Sequence, residues 1–143
     1  MLSGIEDTPS DEDWRRIGEG ALPRLIELYT DEGEAPFVRL RAVSATAAFP
    51  SGATRTFLLA VARADGQSDL FVREAVNALA RGFGRRALDD VASFLEHGEP
   101  LVREAAVRSL ARIGGDPATR ALRARLPAEH DPAVRAWINR ALR

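Results

Sequence analysis

The feature that most constrains this chain is the dipeptide Val-Arg, which recurs at nearly regular intervals. Four of its occurrences, at positions 38–39, 72–73, 102–103 and 134–135, are spaced by 34, 30 and 32 residues. Such a period is the length of two short helices and their turns, and repeats of this length characterise solenoids in which each unit packs on its neighbours. Each interval therefore predicts one pair of antiparallel helices.

The residues around each Val-Arg pair predict where a helix begins and ends. Pro36, Pro100 and Pro132 stand two residues before the valine, where proline suits a first helical turn because the N–H that it lacks has no partner there. From the valine onward, apolar residues recur at helical spacing and share one face. Gly84 and Gly114 follow the last apolar position, where glycine permits the left-handed residue that closes many helices.

A second apolar stripe follows in each unit, so the sequence predicts nine helices and no strand. The predicted helices cover residues 11–18, 21–30, 36–49, 52–64, 69–82, 86–97, 100–113, 117–126 and 132–142. They divide into units of about 11–33, 34–67, 68–98 and 99–130, followed by a terminal helix over 131–143. Residues 1–10 are expected to form a flexible N-terminal segment before this repeat domain of residues 11–143.

Residues 102–117 resemble a known family. The run Val-Arg-Glu-Ala-Ala-Val at 102–107, followed by Ser-Leu-Ala-Arg-Ile-Gly-Gly-Asp-Pro at 109–117, resembles the HEAT-like repeat named after phycobilisome lyases. The resemblance extends over residues 34–143. It implies an all-α fold, a right-handed α-solenoid of HEAT-like antiparallel helix pairs. It is nearly silent on function, because such repeats occur in scaffolds, inhibitors, adaptors and some enzymes.

The arginines that follow the repeated valines are interpreted as structural. They recur once per unit, as a structural contact does, whereas a single ligand site needs no recurrence. The resemblance implies that each reaches an acid of an adjacent unit, and the available acids are Asp69, Glu99 and Asp131. Arg125 takes a position on an apolar stripe, and we expect its guanidinium to extend to the surface. The repeat arginines are Arg39, Arg73, Arg103 and Arg135.

Composition argues against several kinds of chemistry. The absence of cysteine excludes disulfides, thiolate zinc sites and cysteine nucleophiles within the chain. His97 and His130 have no further histidine or cysteine at metal-ligand spacing, and there is no phosphate-loop or nucleophile motif. We therefore predict no catalysis, no cofactor and no metal. With no secretory signal and no apolar run that could span a bilayer, we expect a cytoplasmic protein without membrane contact.

Charge is unevenly distributed although the net charge is only −1. Residues 1–34 carry −7, residues 35–100 carry +1 and residues 101–143 carry +5, with arginine as the only basic residue apart from histidine. In a solenoid these charges lie at opposite ends. They could orient a partner or support weak self-association of a monomer, or they could merely solubilise the two ends. The near-neutral total disfavours nucleic acid as a partner.

The sequence favours a non-catalytic protein–protein interaction module: an adaptor, a regulatory subunit or an inhibitor of another protein. The alternatives are a bilin-lyase-like enzyme or enzyme subunit and, less favoured, a nucleic-acid-binding HEAT-like protein. The second helices usually line the concave side in this family, so their outward residues are the candidates for partner binding. One of them, Phe94, lies off its apolar stripe and is either a contact between repeats or an exposed anchor. The candidates are Thr54, Arg55, Arg86, Asp89, Asp90, Ser93, Phe94, Arg120 and Arg123.

Overall fold

The computed structural model describes residues 9–143, and within this range the chain consists of helices and turns without any strand. The predicted all-α solenoid is therefore confirmed. The predicted flexible segment lies outside the described residues except for Pro9 and Ser10. The α-helices of this range are α1 Asp11–Ile17, α2 Ala21–Thr30, α3 Pro36–Ala45, α4 Gly52–Arg63, α5 Asp69–Phe83, α6 Leu88–Ala92, α7 Pro100–Ile113, α8 Asp116–Arg125 and α9 Pro132–Ala141.

Helix ends follow the local chemistry of the sequence. Prolines occupy the first turn of α3, α7, α8 and α9. The Asp131 carboxylate accepts a hydrogen bond from the backbone N–H of Val134 at 3.0 Å and so caps α9. Gly84 and Gly114 end α5 and α7 with φ of 55° and 70°, in the left-handed region that favours glycine. Short 3₁₀ turns cover Thr46–Ala48, Gly84–Ala87, Ser93–Glu96 and Leu126–Ala128.

The first helices of successive units, α3, α5, α7 and α9, pack side by side in that order. They run parallel and nearly in register. Arg81 of α5 donates to the carbonyl oxygen of Ser44 in α3 at 2.6 Å, and the Ser109 hydroxyl of α7 lies 3.2 Å from Oδ1 of Asn77 in α5. The second helices lie along them, α4 against α5, α6 between α5 and α7, and α8 against α7. Successive units therefore contact mainly their neighbours, as a solenoid requires.

Two buried clusters form the core. The larger cluster extends from Val43 to Ile138, and the smaller one joins α1 and α2 to α3 around Trp14 and Leu25. Tyr29 packs against both clusters. Complete burial of a leucine such as Leu25 contributes about 1.5–3 kcal/mol, so the core holds even the short first helix pair to the array.

One predicted helix is broken. In place of a single helix over residues 86–97, the structure has the five-residue α6 between two 3₁₀ turns. The Ser93 hydroxyl donates to the carbonyl oxygen of Asp90, three residues back, at 2.6 Å, and such a bond competes with the α-helical pattern. Phe94 lies in the second of these 3₁₀ turns and belongs to the same buried cluster as Val91. Phe94 is buried in the larger core cluster, with 5% of its surface exposed, which fits a contact between repeats and excludes the alternative of an exposed anchor for a partner.

Candidate protein-binding surface

Two of the predicted binding residues, Arg55 of α4 and Asp90 of α6, bind each other. Arg55 Nε and Nη2 donate to the two carboxylate oxygens of Asp90 at 2.8 and 2.9 Å. These hydrogen bonds, and then the negative charge of Asp90, raise the pKa of Arg55 above its ordinary value. The Asp90 side chain is 12% exposed and that of Arg55 is 53% exposed. The pair links two units and leaves the arginine open to a partner.

A groove of about 600 Å³ lies between the turn after α5 and the turn after α7. Arg85, Arg86 and Asp89 line one side of the groove, and residues 114–117 line the other. The guanidinium of Arg86 lies over the ring of Phe83, 5.4 Å from its centroid. The lining therefore combines two arginines, two carboxylates and main chain, which suits recognition of a polar partner surface.

Besides Arg55, Arg86 and Asp89, three further predicted residues are exposed, namely Ser93, Arg120 and Arg123. Within residues 9–143 neither Arg120 nor Arg123 has a hydrogen-bond or ion-pair partner. A partner carboxylate can bind these guanidinium groups without first breaking an existing pair. Arg120 lies three residues after Pro117, so the two exposed arginines follow directly on the groove.

Thr54, another predicted binding residue, is a structural residue. Its side chain is fully buried, and its hydroxyl donates to the carbonyl oxygen of Phe49 at 2.5 Å. Phe49 follows the 3₁₀ turn that ends α3, where helix geometry leaves carbonyl groups without intrahelical partners. The hydroxyl therefore satisfies a carbonyl that the tight turn leaves free. The prediction that Thr54 contacts a partner is wrong.

Three repeat arginines donate to main-chain carbonyl oxygens at or near the turn that precedes their helix. Within residues 9–143 the fourth, Arg73, has no hydrogen-bond or ion-pair partner. The expected pairing with Asp69, Glu99 and Asp131 is wrong, because three of the guanidinium groups bind carbonyl oxygens and none of the four pairs with these acids. The bonds run from Arg39 to Tyr29, from Arg103 to His97 and Gly98, and from Arg135 to Leu126 and Glu129, at 2.7 to 3.1 Å.

Glu129 is a buried acid that the sequence did not single out. Its carboxylate is fully buried and accepts hydrogen bonds from Arg103 Nε and Nη2 at 2.8 and 3.0 Å. Arg125 Nε lies at 3.4 Å and the backbone N–H of Asp131 at 3.0 Å. Burial alone raises the pKa of Glu129, but these hydrogen bonds and the two positive charges outweigh burial and lower it.

The position of Glu129 also corrects the expectation for Arg125. The Arg125 side chain is 18% exposed and turns toward the buried carboxylate instead of extending to the surface. No local pattern marks this arrangement, because the contact between Arg103 and Glu129 joins residues 26 positions apart. The cluster holds the turn before α9 against α7 and includes Arg125 of α8, but neither Arg120 nor Arg123.

Neither histidine belongs to a metal cluster. Within residues 9–143, no group of three or more His, Asp or Glu side chains could hold a metal ion. His97 Nδ1 accepts the backbone N–H of Glu99 at 3.1 Å, and its ring lies 6.4 Å from that of Phe94 in a stacked orientation. His97 therefore orders the turn before α7. No helix in the described part of the chain is long and apolar enough to cross a bilayer.

Comparisons with known proteins agree with this geometry. No curated protein matches the chain. Among solved structures it is similar to a chain of the complex of CpcE and CpcF of phycocyanin lyase from Nostoc sp. PCC7120, with a TM-score of 0.72. The identity is 21%, over 93% of this chain and 86% of that chain, so the likeness shows the fold alone. The family model of HEAT repeats matches residues 56–143, more than half of the sequence. The chain therefore belongs to the HEAT-repeat family.

Proposed function

We propose that this chain is a non-catalytic protein-binding module that contacts its partner through the outward residues of the second helices. The observation that carries the proposal is the pair of exposed arginines without partners on α8, next to the groove. Arginine is enriched at protein interfaces because its planar guanidinium binds carboxylates in a bidentate manner. We call this surface the second-helix face, and it comprises Arg55, Arg86, Asp89, Asp90, Ser93, Arg120 and Arg123.

The partner that fits this face is a protein with exposed carboxylates. Such binding suits an adaptor, a regulatory subunit or an inhibitor, since each of these acts by occupying another protein's surface. The structurally similar lyase chain comes from a complex of two proteins, CpcE and CpcF, which supports a protein partner here. The same likeness favours one second candidate, a bilin-lyase-like enzyme or enzyme subunit.

The test is affinity purification from the organism that encodes the chain, with three baits. The wild-type chain and an Arg15→Glu/Arg16→Glu control are expected to retain the same protein, and Arg120→Glu/Arg123→Glu is expected to lose it. Both double variants change the net charge equally, so only the position of the charges differs. The captured protein, once purified, should form a stoichiometric complex with the wild-type chain in analytical ultracentrifugation.

Two results would count against the proposal. One is a bait that enriches no protein over empty resin, or that binds its partner equally after the reversal at Arg120 and Arg123. The other result is optical. The proposal expects that a tetrapyrrole added to the pure chain gives no shifted absorption band. A stoichiometric adduct with a shifted band would favour the lyase candidate instead.

A further inference from the structure

Large apolar side chains are exposed at one recurring position. Among residues 9–143 four large apolar side chains are exposed, and three of them are the second residue of a first helix. Phe37, Leu70 and Leu101 hold this position in α3, α5 and α7 and are 50%, 53% and 50% exposed. Ala133 holds it in α9 and is also exposed. We call Phe37, Leu70 and Leu101 the apolar ridge.

Helix formation does not require apolar side chains at this position, although the Phe37 ring does contact the guanidinium of Arg41, 5.7 Å from the ring centroid. The first turn of a helix favours acidic or capping residues, because its N–H groups lack intrahelical acceptors and carry partial positive charge. Single exposed leucines need no explanation, but the same exposed position in three successive units is a pattern and not scatter. Parallel packed helices lie about 8–10 Å apart, so the ridge is a line of three apolar side chains about 20 Å long.

The edge of the array that carries the ridge is acidic. The segments that lead into the first helices, residues 31–35, 64–69, 96–99 and 129–131, contain nine acids and no arginine, although the chain has 20 arginines. One of the nine, Glu129, is buried and paired with Arg103. Arg39 and Arg135 lie outside these segments in sequence but bring their guanidinium groups to carbonyl oxygens at or beside them, so the edge is less negative than its acids alone would make it. The turn between α5 and α6 differs, since residues 84–87 hold Arg85 and Arg86 and no acid. The eight remaining acids are Asp31, Glu32, Glu34, Asp65, Asp69, Glu96, Glu99 and Asp131.

We propose that the apolar ridge docks a basic amphipathic helix of a partner protein. The step of about 10 Å along the ridge equals about seven residues of an α-helix at 1.5 Å per residue. A helix with an apolar residue at every seventh position would therefore place one side chain beside each of Phe37, Leu70 and Leu101. Lysine or arginine residues on its flanks would face the acids of the edge. The surface is separate from the second-helix face, so the inference goes beyond the proposed function.

The probe is a fluorescent synthetic peptide of about 20 residues, with leucine at every seventh position and lysine and alanine elsewhere. Its control is a scrambled peptide of identical composition and charge. Fluorescence anisotropy should show that the wild-type chain binds the patterned peptide at least about tenfold more tightly than the scrambled one. The variant Phe37→Ser/Leu70→Ser/Leu101→Ser should lose this preference. Because each side chain is half buried, the variant should melt below the wild type, and its circular dichroism spectrum should show that it is fully folded at the temperature of the binding assay.

Two further variants separate charge from position. Glu34→Gln/Asp65→Asn/Glu96→Gln should weaken the binding of both peptides and make their affinities depend less on salt concentration. Arg120→Glu/Arg123→Glu should leave the preference for the patterned peptide unchanged, so failure of this inference is distinguishable from failure of the proposed function.

The inference is overturned if the wild-type chain binds both peptides equally, because binding is then charge attraction alone. It is also overturned if the triple serine variant keeps the preference. The inference also fails if the wild-type chain sediments as a dimer and the serine variant as a monomer, because the ridge is then an interface between copies of this chain.

Discussion

Replacing Glu129 by glutamine measures what the buried carboxylate contributes to the fold. Glutamine keeps the shape of the side chain but removes the charge that neutralises Arg103 and Arg125, whose side chains are only 12% and 18% exposed. Removing one partner of a buried ion pair costs about 3–5 kcal/mol. Because the amide oxygen still accepts a hydrogen bond, we expect Glu129→Gln to lower the free energy of unfolding by about 3 kcal/mol.

Urea denaturation followed by circular dichroism at neutral pH gives this free energy directly. About 3 kcal/mol corresponds to a decrease of about 10 °C in Tm for a domain of this size. The matched control is Glu27→Gln, because Glu27 pairs with Arg24 at 3.5 Å while both side chains are more than 70% exposed. An exposed pair of this kind contributes little, so the control should change stability by less than about 0.5 kcal/mol.

The pH dependence gives a second readout with a defined sign. The pKa of Glu129 is lower in the folded chain than in the unfolded one. Its contribution is therefore complete above the unfolded pKa of about 4.3 and is lost as the pH falls through the folded value. The difference between wild type and Glu129→Gln should shrink over that acidic range. If Glu129→Gln costs no more than Glu27→Gln at neutral pH, or if the difference persists in acid, the reasoning is refuted.

Three further variants have defined outcomes. Thr54→Val should cost about 1–3 kcal/mol in urea denaturation, because it leaves a buried carbonyl without a donor. Gly82→Ala should destabilise the chain, since the added Cβ would lie 3.0 Å from a backbone oxygen of the preceding unit. Its control is Gly52→Ala, whose Cβ would meet no atom within 4 Å; this variant should be neutral or raise the free energy of unfolding by up to about 1 kcal/mol. Arg120→Glu/Arg123→Glu should slow partner association more than it speeds dissociation, as measured by stopped flow. Association rates that change neither with salt concentration nor with the charge reversal would exclude electrostatic steering.

The helices were predictable because their signals are local. Every α-helix of the described range lies at a predicted position. The signals used, such as a proline near the start, a glycine after the end and an apolar stripe, all belong to the residues of a single helix and its ends. The break near residues 86–97 was not predictable in this way. It depends on the Ser93 hydroxyl bonding back to Asp90, and serine is equally compatible with an exposed helical position.

The errors at individual side chains share a cause: the true partner lies in a turn outside the helix that carries the side chain. Arg103 was expected to pair with an acid of an adjacent unit among Asp69, Glu99 and Asp131, yet its carboxylate partner is Glu129 in the turn before α9. Thr54 occupied an outward position on the predicted helix, but a carbonyl of the preceding turn lies within reach of its hydroxyl. Arg55, Arg86, Asp89, Arg120 and Arg123 were placed correctly at the surface, because exposure follows from the apolar stripe alone.

The main-chain acceptors of the repeat arginines also bear on how this chain can evolve. A carbonyl oxygen is present whatever side chain its residue carries, so Arg39, Arg103 and Arg135 fix their turns without requiring a particular sequence there. Apart from Glu129, whose side chain Arg103 requires, the turns can therefore accumulate substitutions while the arginines keep the units aligned. The main-chain oxygen of each contact preserves the fold, while the side chain of the same residue is free to change and so to alter the acidic edge.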